Sequence, residues 1–445
     1  MQSACITGSR VIGSFILSIV ISINVLAQDN SPFSRYGLGD LVPSSNITNR
    51  GMGGLSAAYG DFQTINFVNP ASYQNFGMQR AIFDVGLDIN NRTLRNNTGG
   101  KYSSSNAIIP YLAAGFQIKP QKSKTTWGLV FGLKPLTKVS YNITSGSRFS
   151  LNDSIIRTFE GSGGTYQAFM GMGFGIKNFS VGFNTGYRFG SKDYSTKVEL
   201  FNDTVPNRYT PAIKEIKNNF GGVFAELGLQ YRFVLNKKTS LTLGGYGSMQ
   251  TVMNATREEK YESYFPLASG GIARLDSVSE TKNIKGKIEY PSYYGFGFLY
   301  DVQNKSKLML GADVVMYNWA SYRYYGAADA LQNSWQVKAG AQYIPDITGD
   351  IKKGYWSSVM YRAGFNFAKE PYTINGNMNS FGVSIGAGLP IKKYSYAEIN
   401  RSNIVNMALE FGQRGNNASL LRENYFRLSV GFSLSDIWFI KRKYD

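Results

Sequence analysis

From Phe179 to Gly190 the chain alternates without a miss. Phe179, Val181, Phe183, Thr185, Tyr187 and Phe189 point one way, and Ser180, Gly182, Asn184, Gly186, Arg188 and Gly190 the other. A period of two marks a strand whose two faces meet different surroundings. The pattern recurs about fourteen times, and little between the repeats could cover their apolar faces. A soluble sheet buries such a face in a core. This chain is therefore expected to be all-β, a transmembrane antiparallel β-barrel of about 14 strands with lipid outside and a polar lumen inside.

The strands are expected near 81–91, 106–118, 127–140, 165–177, 179–190, 220–233, 239–252, 291–302, 307–319, 334–344, 356–367, 379–389, 403–412 and 425–435. Short connections alternate with long ones, the long ones falling at 141–164, 191–218 and 254–289. Barrels of the bacterial outer membrane have short periplasmic turns, long extracellular loops and an even strand number. Each long loop also carries a turn dipeptide beside strand-like residues, Asp153-Ser154, Asp203-Thr204 or Asp276-Ser277, so it can hold a hairpin. Strand parity turns Asp84, Asp88, Arg188, Glu226, Arg232, Lys338, Arg362, Glu410 and Arg427 inward. Both signs are present, as expected of a wet lumen, pairing with a plug or a selectivity ring.

Composition removes most alternatives. The chain has no histidine, and its single cysteine, Cys5, lies in an N-terminal segment expected to be removed. Ser-His-Asp, Cys-His and zinc-hydrolase chemistry are then impossible, so neither an enzyme, a metal site nor a cofactor is expected. Residues 1–27 have the form of a cleaved signal peptide: Arg10, an apolar stretch from Val11 to Leu26, and small residues ending at Ala27. Tyr and Phe number 30 and 29, an excess that aromatic girdles at the two lipid–water boundaries explain. Lys and Arg outnumber Asp and Glu by 47 to 29. Many basic residues sit in short connections: Lys119, Lys122 and Lys124; Lys237 and Lys238; Lys352 and Lys353; Lys392 and Lys393; and Lys441, Arg442 and Lys443. Scattered in this way they suit solvated turns or a basic rim facing lipid phosphates or an acidic partner, and not nucleic acid.

Residues 28–80 precede any clean alternation and are rich in Gly, Asn and Ser, a stretch unable to fold alone but able to plug a wide barrel. Prolines interrupt two strands, Pro110 in the second and Pro135 in the third. With the turn centred between Gln121 and Lys124, Ile118 faces Trp127 and the two prolines face each other. Proline lacks the N–H that a ladder needs, so both weaken one seam at one height. The seam is a candidate lateral gate, or the place where the two strands leave the membrane.

The plug contains Arg50, Gly51, Gly53 and Gly54, then Asp61, then Asn69-Pro70-Ala71. Further on come Tyr290-Pro291, Gly295, Gly297, Tyr300, Lys307–Asp313, Tyr317-Asn318-Trp319, Trp335, Gly340–Tyr343, Tyr361–Gly364 and Pro371. In order and spacing this resembles the FadL-like outer-membrane transporters of hydrophobic compounds. The resemblance implies an N-terminal hatch inside a fourteen-stranded barrel, an apolar ligand bound at the outer loops, and lateral release into the membrane. One departure stands out: residues 191–218 are largely polar, and 254–289 hold a single compact apolar group, with Tyr264, Phe265 and Leu267 as candidate ligand contacts.

Two functions follow as expectations. The first is passive uptake of a small hydrophobic molecule through an outer-membrane barrel of a Gram-negative bacterium. The second is a docking or shuttle subunit of an outer-membrane secretion or assembly complex, a use that FadL-like barrels also serve in type nine secretion. Expected partners are membrane lipids and either a small hydrophobic ligand or an outer-membrane or periplasmic protein.

Overall fold

In a computed structural model the chain closes into one antiparallel barrel. Residues 30–437 are described, apart from 77–79, 97–99, 119–124, 149, 206–208, 268–270, 349–353, 373–377, 392–402 and 416–420. The expected signal peptide and the basic groups at 119–124, 352–353, 392–393 and 441–443 lie outside the described residues.

After a two-residue strand β1 (Asp40–Leu41) come β2 (Arg80–Asn96), β3 (Lys101–Ile108), β4 (Leu112–Ile118), β5 (Thr125–Arg148), β6 (Asp153–Ile176), β7 (Phe179–Asn202) and β8 (Ala212–Asn236). Next are β9 (Thr239–Ser248), β10 (Thr251–Pro266), β11 (Ile272–Tyr290), β12 (Tyr293–Gln303) and β13 (Lys307–Tyr317), then the short β14 (Arg323–Tyr324) and β15 (Ala327–Ala328). The last are β16 (Ser334–Ile344), β17 (Met360–Lys369), β18 (Asn379–Ile391), β19 (Asn403–Arg414) and β20 (Leu421–Ile437). Counting β3 with β4, β9 with β10 and β11 with β12 as single staves gives fourteen, closed by β20 against β2.

Alternation decides the faces. Phe183, Tyr187, Val223, Leu227, Phe296, Phe365 and Ile385 are exposed on the outer surface, whereas Gln167, Asn184, Glu226, Ser384 and Ser429 are buried within. That arrangement suits lipid outside and polar contacts inside.

Three differences from the sequence reading have physical causes. The segments 141–164, 191–218 and 254–289 are not mainly loops: β5, β6, β7, β8, β10 and β11 run on beyond the apolar band as paired hairpins. Above the lipid neither face is apolar, so no hydrophobic alternation marks them. Cross-strand polar contacts hold them instead, among them Lys197 with Glu160 at 3.0 Å and Asn202 with Asp153 at 2.6 Å. The expected second strand is broken between Ile108 and Leu112, at Pro110. The stave expected from 356 begins at Met360, because Tyr355–Ser358 forms a 3₁₀ turn.

Residues 30–76 fill the lumen. Phe33, Ile47, Leu55, Tyr59, Ile65, Ala71 and Tyr73 are all almost fully buried. A one-turn helix, Ile47–Arg50, is capped by the Asn46 side chain, which accepts from the Asn49 N–H at 2.8 Å. A 3₁₀ turn, Pro70–Asn75, closes the lower end with proline at its first position.

Candidate functional site: a charged lumen and an open seam

Arg50 stands at the end of the capped turn and is fully buried. Its guanidinium reaches Asp88 on β2 at 2.6 Å, Glu410 on β19 at 2.7 Å and the Ser429 hydroxyl on β20 at 2.8 Å. Arg427 also binds Glu410, at 2.8 Å. One hatch residue thus ties together the three staves at which the barrel closes. Gly53 makes the close approach possible. Its φ is +70°, and a Cβ there would lie 2.7 Å from the Phe365 carbonyl oxygen.

Farther round the wall, Asp313 accepts the Ser56 and Ala57 N–H groups at 2.6 and 2.9 Å. Asp84 accepts from the Ile65 N–H at 3.3 Å and the Tyr111 hydroxyl at 3.1 Å. Arg362 donates to Gln342 and Asn406 at 2.7 and 2.9 Å. Arg188 pairs with Glu226 at 3.0 Å between the rings of Phe224 and Tyr290. Asn69 turns its amide to the Ala57 carbonyl at 2.6 Å, while Pro70 lies so near β7 that a Cβ on Gly182 would come within 2.3 Å of it. Asp61 accepts from the Phe62 N–H at 2.6 Å. The Gly-rich and Asn-Pro-Ala stretches are therefore seats of the plug against glycines of the wall.

Between the plug and the wall lies a cavity of about 220 Å³, bounded by plug residues Leu41, Val42, Gly53 and Val68, whose lining includes Arg50, Lys134, Arg188, Glu226, Lys338 and Glu410. Its lining is mixed: these charges share it with Val68, Leu136, Tyr246, Tyr293, Tyr317 and Trp335, whereas small-ligand sites are mostly apolar with few polar groups. Of the residues expected inside, only Arg232 falls outside this network: it is exposed beside the periplasmic turn at Lys177-Asn178. The candidate ligand contacts do not converge. Tyr264 is buried and donates to Glu199 at 2.6 Å, whereas Phe265 and Leu267 are exposed. Alternation along β10 separates neighbours onto opposite faces.

The prolines mark a real discontinuity. Pairing of β4 with β5 runs from Ile118↔Trp127 to Leu112↔Leu133, the register expected from the sequence, and ends there. Above it β3 pairs only with β2 among the described residues. The edge of β5 is instead met by the hatch: Leu41 opposes Thr137 and Asp40 opposes Lys138. Asp40 is clamped by Arg92 at 2.6 Å and Arg414 at 2.9 Å. Burial alone would raise its carboxyl, but Arg414 and Arg92 outweigh that and hold it at about 2. Lys192 donates to the carbonyls of Arg35 and Gly37 at 3.1 and 2.7 Å.

These anchors of residues 30–42 were not among the sites expected from the sequence. The only local signal is Gly39-Asp40 ahead of a proline, which reads as an ordinary turn.

Comparison with known proteins agrees with this architecture. A family model described as BamG matches residues 10–445. No curated protein matches the sequence. Among solved structures, a Pseudomonas aeruginosa FadL homologue superposes with a TM-score of 0.55 at 13% identity, covering 91% of this chain and 100% of its own. The CymD monoaromatic hydrocarbon channel gives 0.54 at 14% identity, covering 90% and 99%. The Pseudomonas putida toluene transporter TodX gives 0.51 at 14%, covering 88% and 98%. The fold is that of the FadL-like outer-membrane barrels, and the apolar belt places the chain in an outer membrane.

Proposed function

The chain belongs to the BamG family, and from that premise we propose that it is a docking subunit of an outer-membrane assembly or secretion complex, with a protein as its principal partner. The observation that carries this reading is that the cavity between plug and wall holds six charged side chains in its lining, Arg50, Lys134, Arg188, Glu226, Lys338 and Glu410. Moving an apolar solute through such a space would bring it against desolvated charges as well as aromatic walls. Residues 28–80 act in this reading as a fixed hatch, following a signal peptide of residues 1–27. The projecting hairpins of β5–β8 and of β10–β11 offer polar surface outside the membrane, which suits a polar-rimmed protein interface.

A second reading, passive uptake of small hydrophobic molecules with lateral release, is favoured by one observation: the β4–β5 ladder stops at Leu112↔Leu133, two residues short of Pro110 and Pro135. The fold shared with hydrocarbon channels supports it as well.

Native mass spectrometry of the mature protein, gently extracted from its own outer membrane, separates the two. The docking reading expects co-purified proteins at fixed stoichiometry and no adduct. A bare barrel carrying a reproducible hydrophobic adduct would overturn it in favour of uptake.

A further inference from the structure

The upper part of the seam combines three features. First, both flanking strands have a free edge. Among the described residues β3 pairs only with β2, and β5 above Leu133 pairs on its far side with β6. Second, the hatch already occupies the lower part of the β5 edge with two short stretches, residues 30–31 and 40–42, on either side of a 3₁₀ turn at Pro32–Arg35. Val42 N–H donates to the Leu136 carbonyl at 3.0 Å, Ser31 N–H to the Ser140 carbonyl at 2.9 Å, and Asn142 N–H to the Asn30 side chain at 3.0 Å. Both stretches descend as β5 rises, so they lie antiparallel to β5 and parallel to β3. Third, the remaining edge is small and polar. β3 reads Tyr102-Ser103-Ser104-Ser105-Asn106 and β5 reads Thr144-Ser145-Gly146-Ser147.

Exposed edges invite pairing, and proteins usually blunt them with inward charges, prolines or bulges. Here charged residues come only at the outer ends, Lys101 and Arg148. The β5–β6 register has no irregularity above Thr137. A Cβ on Gly146 would meet nothing within 4 Å, and the Ser104 hydroxyl is buried without a hydrogen-bond partner.

We infer that the slot between β3 and β5, above the hatch segment, is a docking site for one extended strand of a partner protein. The strand runs antiparallel to β5 and continues the line already taken by residues 30–42. Backbone hydrogen bonds supply the affinity in strand addition, and the small side chains keep the slot clear for a main chain. Parity names the donors. Ser140 and Asn142 present their N–H and C=O to the seam. On an antiparallel edge strand these groups alternate sides, so Thr144 and Gly146 face the slot and Ser145 faces β6.

The inference names where a partner engages and so rests on the docking reading. Its test uses the full-length protein in its own outer membrane, with a photo-crosslinking phenylalanine analogue placed at Ser103, at Ser145 or at Val278, which is exposed on β11. Crosslinks from Ser103 and Ser145 should map to one short segment of one protein. Thr144→Pro removes an N–H facing the slot, spares the ladder to β6, and should lower both yields roughly tenfold, the scale of one lost edge hydrogen bond. Partner crosslinks at Val278 with none in the seam would overturn the slot and leave the docking reading standing. Crosslinks nowhere would overturn both.

Amide exchange needs no variant. Thr144 and Gly146 should exchange roughly tenfold or more slowly in the membrane than in the purified barrel. Equal rates in the two settings would also overturn the inference.

Discussion

Two seams flank the staves at the start of the barrel, and they are built in opposite ways. On one side β2 pairs with β20 residue by residue, from Arg80↔Ile437 to Asn96↔Leu421, and Arg50 bridges its staves from inside. On the other, β4 and β5 pair over seven residues each and part at Leu112↔Leu133. The first seam has no proline and a buried triad of charges. The second has a proline on each strand just beyond the last pair, Pro110 and Pro135, and a hatch segment in place of its missing ladder. Both are closed by the same hatch, one through side-chain charge and the other through backbone. A segment that locks both seams contributes to the stability of the wall itself.

The strongest way to break the comparison is Arg50→Ala. The substitution leaves Asp88, which is fully buried, without its cation, and removing one partner of a buried pair typically costs about 3–5 kcal/mol. The thermal midpoint of the folded barrel in detergent should fall accordingly. Faster amide exchange should appear along β2 and β20 and not along β4 and β5. Exchange rising equally at both seams would mean that the hatch acts as one block and that the distinction is false.

Acid tests the other seam. The folded-state value for Asp40 lies at about 2, below the ordinary 3.8. A depressed carboxylate contributes stability that is full above its unfolded value and is lost as pH falls through the folded one. The hatch segment should therefore stay latched above pH 4 and loosen between about pH 4 and 2, with a loss of about 2 kcal/mol. Exchange at Leu41 and Val42 reports it directly. In Asp40→Asn the acid step should disappear, because the group no longer titrates. Persistence of the step would assign it to another carboxylate.

A smaller effect asks what keeps the second seam open. Replacing Pro110 and Pro135 together by Ala restores two N–H donors, each worth about 1 kcal/mol if it finds a partner. Slower exchange at residues 109–111, with a midpoint raised by that amount, would make the prolines the cause of the gap. An unchanged midpoint would make the hatch segment on β5 the cause.

The sequence revealed most where one face touched lipid. There the apolar alternation gave the stave number, the inward residues and the register Ile118↔Trp127, since a slip of one residue would have turned a whole face over. Legibility ended at the membrane boundary. β6 and β7 continue as a ladder from Thr165↔Gly190 to Asp153↔Asn202 with polar residues on both faces, so no periodicity announced them. The lumen was half legible. Parity turned Asp88 and Glu410 inward, yet their partner is a hatch residue 38 positions from one and 360 from the other, a distance that local pattern does not span. Asp40 gave no signal of its own, because its role depends on Arg92 and Arg414 arriving from separate staves.

The smallest expected effect bears on what the outer surface is for. Phe265 and Leu267 lie together near the tip of the β10–β11 hairpin, exposed at 54% and 48%. Truncating either to Ala removes little buried area, so stability should change by no more than about 0.5 kcal/mol. If the group serves a partner, the double variant should still fold and run as a heat-modifiable barrel, while the amount of co-purified protein falls. Tyr264→Phe provides the contrast, because it deletes a hydroxyl that donates to Glu199 on β7 and should loosen the β10–β11 hairpin from the β7–β8 hairpin without touching the exposed group. Loss of partner from the Phe265 and Leu267 variant alone would place recognition on the surface of the hairpin. Loss from Tyr264→Phe alone would place it in the hairpin's rigidity, and the seam would then be the only backbone-mediated contact left to explain docking.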